Sequence, residues 1–519
     1  MSKEVRILDA YGRPLPSARE RAMEAAKSEY NRRLKGSYDA AAVTNENAKH
    51  WQWADFLSAA EANRLSVRRV LRSRARYECH ESNSFAYGIT ETLSTDFVTT
   101  GPRLQIRMRG SERLRHVGEI IERRFTRWAR KVRLAQKLWT ARLSKCVDGE
   151  AFIVAQTNPK LKDPCKLDIK LVECDQISTP GWTDGAFDPY AVDGLKFDKY
   201  GNVTEYHMLP AHPGDRMGPM INFKDPIILD PDHVIHLFKQ RRPGQWRGIP
   251  EVTTALPLFA MLRRYTLATI LAAEVAADFA VVLKTIVNAF DNTTATPQKP
   301  FESVDIDRGM MTALPYGYEM QQMKAEQPTT TYEQFRNAIL QEIARCLSMP
   351  TNKARGDSSG YNYSSARHDQ QMYYHAIDVE RGYWENDCLD RIFEWWLDET
   401  LLEDRQLSRM LPPMLEIPRR WTWRPSISID PQKDADTAIA LRDAGLLTEE
   451  EYFESRQLDP DYQWRQVARE RRMRGETTPA GQSSGAAHKR RKSRVLASRP
   501  CEQWDRIRVR NPVHLHSAL

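Results

Sequence analysis

Residues 356–367 read Gly-Asp-Ser-Ser-Gly-Tyr-Asn-Tyr-Ser-Ser-Ala-Arg, and this polar stretch separates two long helical patterns. Before it, apolar residues recur with helical spacing at Phe335, Ile339, Ile343 and Leu347. Pro350 ends that first helix, and an aromatic-rich helix is predicted after it over residues 365–402. The pattern therefore predicts a helix, a Gly/Ser/Asn loop over residues 351–364, and a second helix.

A longer apolar segment lies further upstream, over residues 255–287. It contains five charged residues, which are too many for a membrane span, so we expect a helix from Pro257 to about Leu283 that is buried against protein. Small side chains within this helix would permit close approach of a neighbouring helix, either in a ring of subunits or in an ordinary intramolecular bundle. They are Ala268, Ala272, Ala273, Ala276, Ala277 and Ala280.

The rest of the chain mixes helices with strands and predicts an α+β fold. Helices are expected over residues 60–98 and 112–145, with a strand at 103–107 between them. Alternating apolar residues then predict a β-rich region over 150–240, in which Asp198-Lys-Tyr-Gly-Asn202 forms a hairpin turn. Near the end, a strand is predicted at 424–429, followed by two short helices over 433–444 and 448–454.

Composition and charge limit the possible classes of function. The 519 residues are 41% hydrophobic and 28% charged, as expected for a globular chain of several domains. Nine basic and three acidic residues lie within 475–519, so this tail supplies +6 of the net charge of +8 and is predicted to be disordered. The other 474 residues carry only +2, unlike many tight DNA-binding proteins. Seven scattered cysteines without a CxxC pair indicate a reducing compartment.

Motifs for catalysis, cofactors and metals are sparse. The sequence has no Walker A loop and no GxGxxG turn, so no cofactor is predicted. His233 and His236 would point to opposite faces of one strand, so we predict one histidine on a sheet surface and no metal site. Gly356-Asp-Ser-Ser-Gly360 superficially resembles the nucleophile turn of trypsin-like proteases, with His368 and Asp369 nearby. Because the surrounding pattern is helix–loop–helix, a flexible loop is favoured over a hydrolase site.

Several short motifs, in one shared order along the chain, resemble the portal (head–tail connector) proteins of lambda-like tailed phages. The strongest match is Asn362-Tyr-Ser-Ser-Ala-Arg367 after Gly356-Asp357. The other motifs are Tyr38-Asp-Ala-Ala41 with Trp51, Arg72-Ser-Arg74 with Asn83, Val98-Thr-Thr-Gly-Pro-Arg-Leu-Gln105, Gly149-Glu-Ala-Phe152, Val172-Glu-Cys-Asp-Gln176, Arg241-Arg-Pro-Gly-Gln245, Arg247-Gly-Ile-Pro250, Ile429-Asp-Pro-Gln-Lys433 and Ala444-Gly-Leu-Leu-Thr448. The resemblance spans roughly residues 38–474. It departs from the family at Thr99, where the family usually has glycine, and in the basic tail, which it does not explain.

The resemblance implies an α+β portal fold with a wing, long stem helices, a clip, a tunnel loop and a helical crown, assembled as a ring. The implied segments are a polar, helical amino-terminal arm (1–60), the wing (61–250), a stem helix (251–287), the clip (288–328), a second stem helix (329–350), the tunnel loop (351–364), a long helix supporting wing and crown (365–423), the crown (424–474) and the basic tail (475–519).

The resemblance also implies a structural protein and not an enzyme. Family members form a dodecameric homo-oligomeric ring at one capsid vertex of the virion, after assembly in the host cytoplasm. Double-stranded DNA passes through the ring during packaging and ejection, and the protein binds it without sequence specificity. The implied protein partners are the terminase large subunit, the major capsid or scaffold protein and the head–tail adaptor, with no membrane and no cofactor.

Two sets of site residues follow from the resemblance. The DNA channel would be lined at the tunnel loop by Lys353, Arg355, Asp357, Asn362 and Tyr363. The stem helices of neighbouring subunits would pack through Ala268, Ala272, Ala276, Phe335, Ile339 and Ile343. The loop would carry about +1 in each copy, a weak collar that lets DNA slide because few phosphates are held tightly.

Two other functions remain open. Eleven Lys and Arg residues against two acidic residues over 113–145 suggest a DNA-binding or DNA-processing protein that uses this helix and the tail, although a solvated helix face has the same composition. The more remote alternative is a serine hydrolase with Ser358 as nucleophile. Tight, salt-dependent binding of DNA by a single subunit would indicate the former, and reaction with a fluorophosphonate probe the latter.

Overall fold

The computed structural model describes residues 22–24, 49–52, 54–108, 112–179, 191–216, 225–277, 281–285, 318–322, 330–411, 417–425, 430–456, 458 and 460–474. The helices are α1 (Ala59–Ala62), α2 (Leu65–Arg76), α3 (Ser84–Val98), α4 (Glu112–Lys131), α5 (Leu134–Val147), α6 (Leu256–Ala277), α7 (Thr330–Cys346), α8 (Thr351–Arg355), α9 (Tyr363–Trp384), α10 (Asp390–Glu403), α11 (Arg405–Met410), α12 (Pro431–Asp443), α13 (Glu449–Ser455) and α14 (Pro460–Met473). Short π-helical turns, Tyr77–Ser82 and Glu385–Leu389, lead from α2 toward α3 and join α9 to α10.

The strands form small antiparallel sheets in a mainly helical chain. They are β1 (Arg103–Ile106), β2 (Glu150–Thr157), β3 (Leu167–Val172), β4 (Ala191–Val192), β5 (Leu195–Phe197), β6 (Val203–Met208), β7 (Ile227–Leu229), β8 (Val234–Phe238), β9 (Val281–Thr285), β10 (Tyr318–Gln322) and β11 (Arg419–Thr422). One sheet has the order β3-β2-β8 and another β4-β5-β6-β7, while β1 pairs with β11 and β9 with β10. The predicted mixture of helices and strands is confirmed.

A core of aromatic side chains joins the helices on one side of the β3-β2-β8 sheet. Phe125 packs edge-on against Phe393 and Trp396, with ring centroids 5.8 and 5.2 Å apart. Trp128 is fully buried and its indole Nε1 donates to the carbonyl of Leu167 at 2.9 Å, which attaches α4 to β3. Aromatic groups of this size contribute much of the buried apolar area of a domain.

Several predicted elements differ from the structure. Helix α6 ends at Ala277 instead of Leu283, and the apolar residues that follow form strand β9. Residues 351–355 form the short helix α8, so the predicted loop is reduced to residues 356–362. The late strand is Arg419–Thr422, whereas 423–425 are outside any strand and 426–429 lie outside the described residues. Helix α14 had no counterpart in the prediction.

Two sequence motifs meet at a close approach of the backbone. A Cβ atom at Gly149 would lie 2.2 Å from the carbonyl carbon of Ile249, and one at Gly248 would lie 2.1 Å from the carbonyl oxygen of Gly149. Gly149 also has φ of +92°, which disfavours other residues. Only glycine fits at either position, so the start of β2 and the segment around Arg247 are held together directly.

The carboxylate of Glu150 occupies the centre of this junction. Arg247 donates to it through Nε at 3.0 Å and Nη2 at 2.6 Å, and Arg72 of α2 donates through Nη2. The amide of Gly248 and Nε2 of His236 each lie 2.9 Å from its second oxygen. Burial alone would raise the pKa of Glu150, but the two guanidinium groups and the histidine hydrogen bond hold it well below its ordinary range.

His236 corrects the prediction of a surface histidine. Its ring stacks on Phe152 with centroids 4.2 Å apart, and its side chain is only 6% exposed. Because Glu150 is ionised, the histidine donates its Nε2 proton to it. Burial lowers the pKa of His236 below its ordinary value, more than the neighbouring carboxylate raises it. His233 instead lies exposed in a 3₁₀ turn. No group of residues that fits a metal ion occurs within the described ranges.

Thr99, the position where the sequence departs from the expected glycine, adopts φ of 52° and ψ of −122°. The amide of Gly101 donates to the carbonyl of Val98 at 2.9 Å, so Thr99 is the second residue of a tight turn that favours glycine. In the described part of the chain, its buried hydroxyl also has no hydrogen-bonding partner. The departure therefore carries a cost in stability.

We predict that Thr99→Gly raises the free energy of unfolding by about 1 kcal/mol, since relief of backbone strain exceeds the added flexibility of glycine. Urea unfolding of the full chain measures this. Thr100→Gly is the matched control, because Thr100 does not have positive φ and should lose stability. Equal loss of stability in both variants would contradict the strained turn.

We further predict that His236→Gln weakens the fall in stability on acidification. The pKa of His236 is lower in the folded protein than the value of 6.5 in the unfolded chain. Below pH 6.5 the unfolded chain therefore binds one more proton than the folded protein, and the free energy of unfolding of the wild type decreases as the pH falls through that value. Glutamine keeps a donor for Glu150 but does not titrate, which should remove up to about 1.4 kcal/mol per pH unit from the slope. Thermal unfolding between about pH 7 and 5 tests this. The exposed His233→Gln should keep the wild-type slope, and an unchanged slope in His236→Gln would refute the assignment.

Candidate functional site

The loop of residues 356–362 is exposed and ordered by local hydrogen bonds. Gly356 ends α8 with φ of 68°, a left-handed conformation that suits glycine. The Asn362 side chain accepts from the amide of Ser365 at 2.8 Å and so caps α9. Asp357 accepts from the amide of Ser359 at 2.8 Å, and this bond, with help from Arg355, lowers the pKa of Asp357. The loop therefore protrudes between two fixed helix ends.

Lys353 is anchored inside the subunit. Its Nζ lies 2.6 Å from a carboxylate oxygen of Asp96 and 3.2 Å from the hydroxyl of Tyr374. The same ammonium lies 4.7 Å from the ring centres of Tyr373 and Tyr374, and the side chain is 23% exposed. The contact with Asp96 was not predicted, because no local pattern connects residues 257 positions apart. The contacts with the two tyrosines were not predicted either, since they depend on how α8 packs against α9. Lys353 thus attaches α8 to α3 and α9.

Of the other predicted channel residues, Asp357, Asn362 and Tyr363 are more accessible than Lys353, whereas the Arg355 side chain is only 16% exposed. Arg355 pairs with Asp357 at 2.8 Å, so the two charges cancel within the loop. Tyr363 is 41% exposed, and its hydroxyl accepts from Arg367 at 3.3 Å. Asn362 is exposed at the start of α9. With Asp96 beside Lys353, each cation of this region has an acidic partner, and the local charge is close to zero rather than +1.

Ser358 lacks the contacts of a catalytic serine. It lies exposed in the loop, and its side chain makes no hydrogen bond to His368 or to any other residue in the described ranges. His368 and Asp369 are on α9, six and seven residues beyond its capping Asn362. A nucleophile needs a base within hydrogen-bonding distance, so this loop shows no assembled triad.

Helix α6 is apolar but largely uncovered, which corrects the prediction that it is buried against protein. Phe259 and Leu262 near its start are buried, whereas Leu267 is 56% and Leu271 59% exposed. The stretch Leu256–Glu274 has a mean hydropathy of 1.2 with 17% of it buried, and in the described part of the chain it is the one helix long and apolar enough to cross a membrane. Among the described residues of a single copy, one side of α6 therefore lacks a partner.

Helix α7 covers only part of α6. Tyr265 stacks on Tyr332 at 5.5 Å and meets Phe335 edge-on at 5.0 Å. Of the predicted packing residues, Ile343 is fully buried in the subunit's own core, Ile339 is half-buried and Phe335 is 51% exposed. Ala268 is exposed and Ala272 half-buried, while the side chain of Ala276 lies outside the described residues.

The basic segment of residues 113–145 is only partly a free cationic face. Five of its eleven cations make close ion pairs within the subunit. They are Arg124 with Asp404, Lys131 with Asp163, Lys137 with Asp168, and Arg142 and Lys145 with Glu251 and Glu380. Arg127, Arg130 and Arg133 are exposed and have no ion pair within the described ranges.

Comparison with known proteins gives structural and family matches. No functionally curated protein matches the chain. Among solved structures, this chain is similar to a chain in the neck of an empty gene transfer agent (GTA) particle computed with C6 symmetry. The two chains are 13% identical with a TM-score of 0.43, and the match covers 75% of this chain and 94% of the other. A chain of the native GTA particle neck computed with C12 symmetry is 12% identical, with the same coverage and a TM-score of 0.40. The family model described as "Phage portal protein, lambda family" matches residues 46–381.

We predict that Lys353→Met lowers the free energy of unfolding by about 1–3 kcal/mol, because it leaves Asp96 and the tyrosine hydroxyls without their ammonium partner. Arg355→Met should cost about 1 kcal/mol or less, because the carboxylate that it leaves unpaired, Asp357, is 42% exposed and remains solvated. Urea unfolding of both variants gives the comparison. Equal effects would show that Lys353 is no more anchored than Arg355.

Proposed function

Because the chain belongs to the lambda family of phage portal proteins, we propose that identical copies close into a ring at one capsid vertex and that double-stranded DNA passes through its centre. The ring would be a dodecamer, formed in the host cytoplasm and retained in the virion. Its further partners would be the terminase large subunit, the major capsid or scaffold protein and, later, the head–tail adaptor. The role is structural, without catalysis.

The uncovered apolar side of α6 is the observation that carries this proposal. Leu267, Ile270 and Leu271 are each about half exposed or more in one copy, although burying such side chains is favourable by about 1.5–3 kcal/mol each. In a closed ring, every subunit presents one face to the next, so a surface bare in one copy is covered by its neighbour. Ala268 and Ala272 permit close approach there, and Phe335 and Ile339 of α7 extend the same surface.

The charge distribution suits a passage for DNA. Sliding requires that few phosphates be held tightly, since each held phosphate releases counterions and strengthens binding. Residues 1–474 carry only +2, and near the loop Lys353 and Arg355 are each paired with an acid. We propose that the 356–362 loop, with Asn362 and Tyr363 at its end, faces the duplex, while Lys353 fixes the loop's base.

The proposed segments extend the family's plan to the described elements. The wing would comprise α1–α5 and the two larger sheets, and α6 and α7 would be the stem helices. Strands β9 and β10 would form the base of the clip, most of which lies outside the described residues, as do most of the amino-terminal arm and the 475–519 tail. Helices α12–α14 would form the crown.

Electron microscopy of the purified full chain tests the ring, with Leu271→Asp as the decisive variant. Wild type should show rings with an axial opening wide enough for B-form DNA. Leu271→Asp should fold as well as wild type, because the side chain is 59% exposed in one copy, but it should form no rings. Leu402→Asp, at a leucine 83% exposed on α10, is the matched control and should assemble normally.

Particles without an axial opening, or a Leu271→Asp variant that still forms rings, would argue against the proposal. Flotation of the wild type with lipid vesicles tests the alternative that α6 binds a membrane. Recovery of the protein with the vesicles, in place of rings, would assign the apolar side of this helix to a membrane.

A further inference from the structure

A basic groove lies between α4, the start of α5 and α14. It has a volume of about 1290 Å³ and is bordered by Arg127, Arg130 and Arg133 on one side and by Arg465 on the other. A second depression continues from Arg465 along α14, past Arg469 and Arg472. The two depressions share Arg465 and form one surface, which we call the arginine groove.

Two rows of arginines with the same spacing border the arginine groove. Arg123, Arg127 and Arg130 occupy positions i, i+4 and i+7 of α4, and Arg465, Arg469 and Arg472 occupy the same positions of α14. Residues at this spacing lie on one helix face, so each row spans about 10 Å along its helix. The sequence contains this signal, but the two rows are over 330 residues apart and only the fold brings them together.

The charge of the arginine groove is largely uncompensated. Glu119 approaches Arg123 and Arg465 only at 3.8 Å, and the carboxylate of Glu122 accepts from the amide of Ile106 at 2.6 Å. Within the described ranges, Arg127, Arg130, Arg133, Arg469 and Arg472 form no ion pair. This contrasts with Lys353 and Arg355 at the loop, which are both paired.

The lining of the arginine groove points to a phosphate polymer. Arginine binds phosphate through two parallel hydrogen bonds, and all the unpaired cations here are arginines. Leu104, Phe125 and Leu134 beneath the arginines are at most 4% exposed. The exposed apolar side chains of the lining, Tyr462 and Met473, lie eleven positions apart on α14 and form no continuous strip for the apolar side of a peptide helix. The chain's own tail, with its net +6, has the wrong charge to fill the groove.

We propose that the arginine groove binds the phosphate backbone of double-stranded DNA lying against the subunit, at a site separate from the duplex in the central passage. Contacts to phosphate carry no base information, so binding is independent of sequence. A single subunit carries the whole groove, so this inference does not depend on ring formation and fails or succeeds separately from it.

The test compares two triple variants of the full chain for binding to a short fluorescent DNA duplex by anisotropy. Arg127→Ala/Arg130→Ala/Arg469→Ala removes charge from the groove. Arg69→Ala/Arg74→Ala/Arg409→Ala removes the same charge from exposed arginines elsewhere, which have no ion pairs within the described ranges. The 475–519 tail is present in every protein, so its own binding is a constant background.

The groove variant should bind at least about tenfold more weakly at about 100 mM salt, and its plot of log affinity against log salt should be less steep by about 3, near 0.9 for each lost phosphate contact. The control triple should retain wild-type affinity and slope. A wild-type slope in the groove variant, or an equal loss in the control, would overturn the proposal. Intact DNA binding with loss of ring formation or of capsid incorporation would assign the groove to an acidic protein surface instead.

Discussion

The buried carboxylate of Glu150 is the interaction on which the arrangement around the β3-β2-β8 sheet depends. It is the first residue of β2, and it binds Arg72 of α2, Arg247 of the segment before α6, and His236 of β8. A buried charge is tolerated only when it is paired and hydrogen-bonded. Each of these partners must therefore stay in contact with the Glu150 carboxylate for the fold to be stable. The glycines at 149 and 248 bring the two backbones close enough for this to happen. As a result, α2 and the chain leading into α6 are fixed to one sheet.

Helices and strands with strong periodicity could be predicted from the sequence. The stripe at Phe335, Ile339 and Ile343 predicted α7, and alternation predicted β2, β3 and β8. The end of α6 could not be predicted, because the apolar run continues through Val281–Thr285 and only pairing with β10 makes that run a strand. Residues 351–355 were assigned to the loop after Pro350, although Pro350 and Gly356 bound a short helix there.

The contacts of the candidate site were less predictable than its position. The order of motifs located the loop before α9, but the pairing of Lys353 with Asp96 depends on how α8 packs against α3, which no local pattern records. Likewise, Glu150 and His236 become neighbours only through the register of β2 with β8. Residues 113–145 show the same limit: the sequence counts their cations, while the fold decides which are neutralised. Lys353 and Arg355 near the loop are paired, whereas Arg127, Arg130 and Arg133 along the arginine groove have no ion pair within the described residues. The subunit thereby separates a nearly neutral surface from a strongly cationic one.

The uncovered apolar side of α6 also affects the solubility of a single copy before it associates with another. Exposed leucines in a row attract any apolar surface, including that of misfolded chains, so a solitary subunit is prone to aggregate. Association stabilises the folded form by mass action. The stability of this helix therefore rises with subunit concentration and falls on dilution. Synthesis in a burst, with many copies made close together in time, would favour productive encounters over precipitation. In the proposed ring, the same leucines would become inaccessible once the last neighbour is in place.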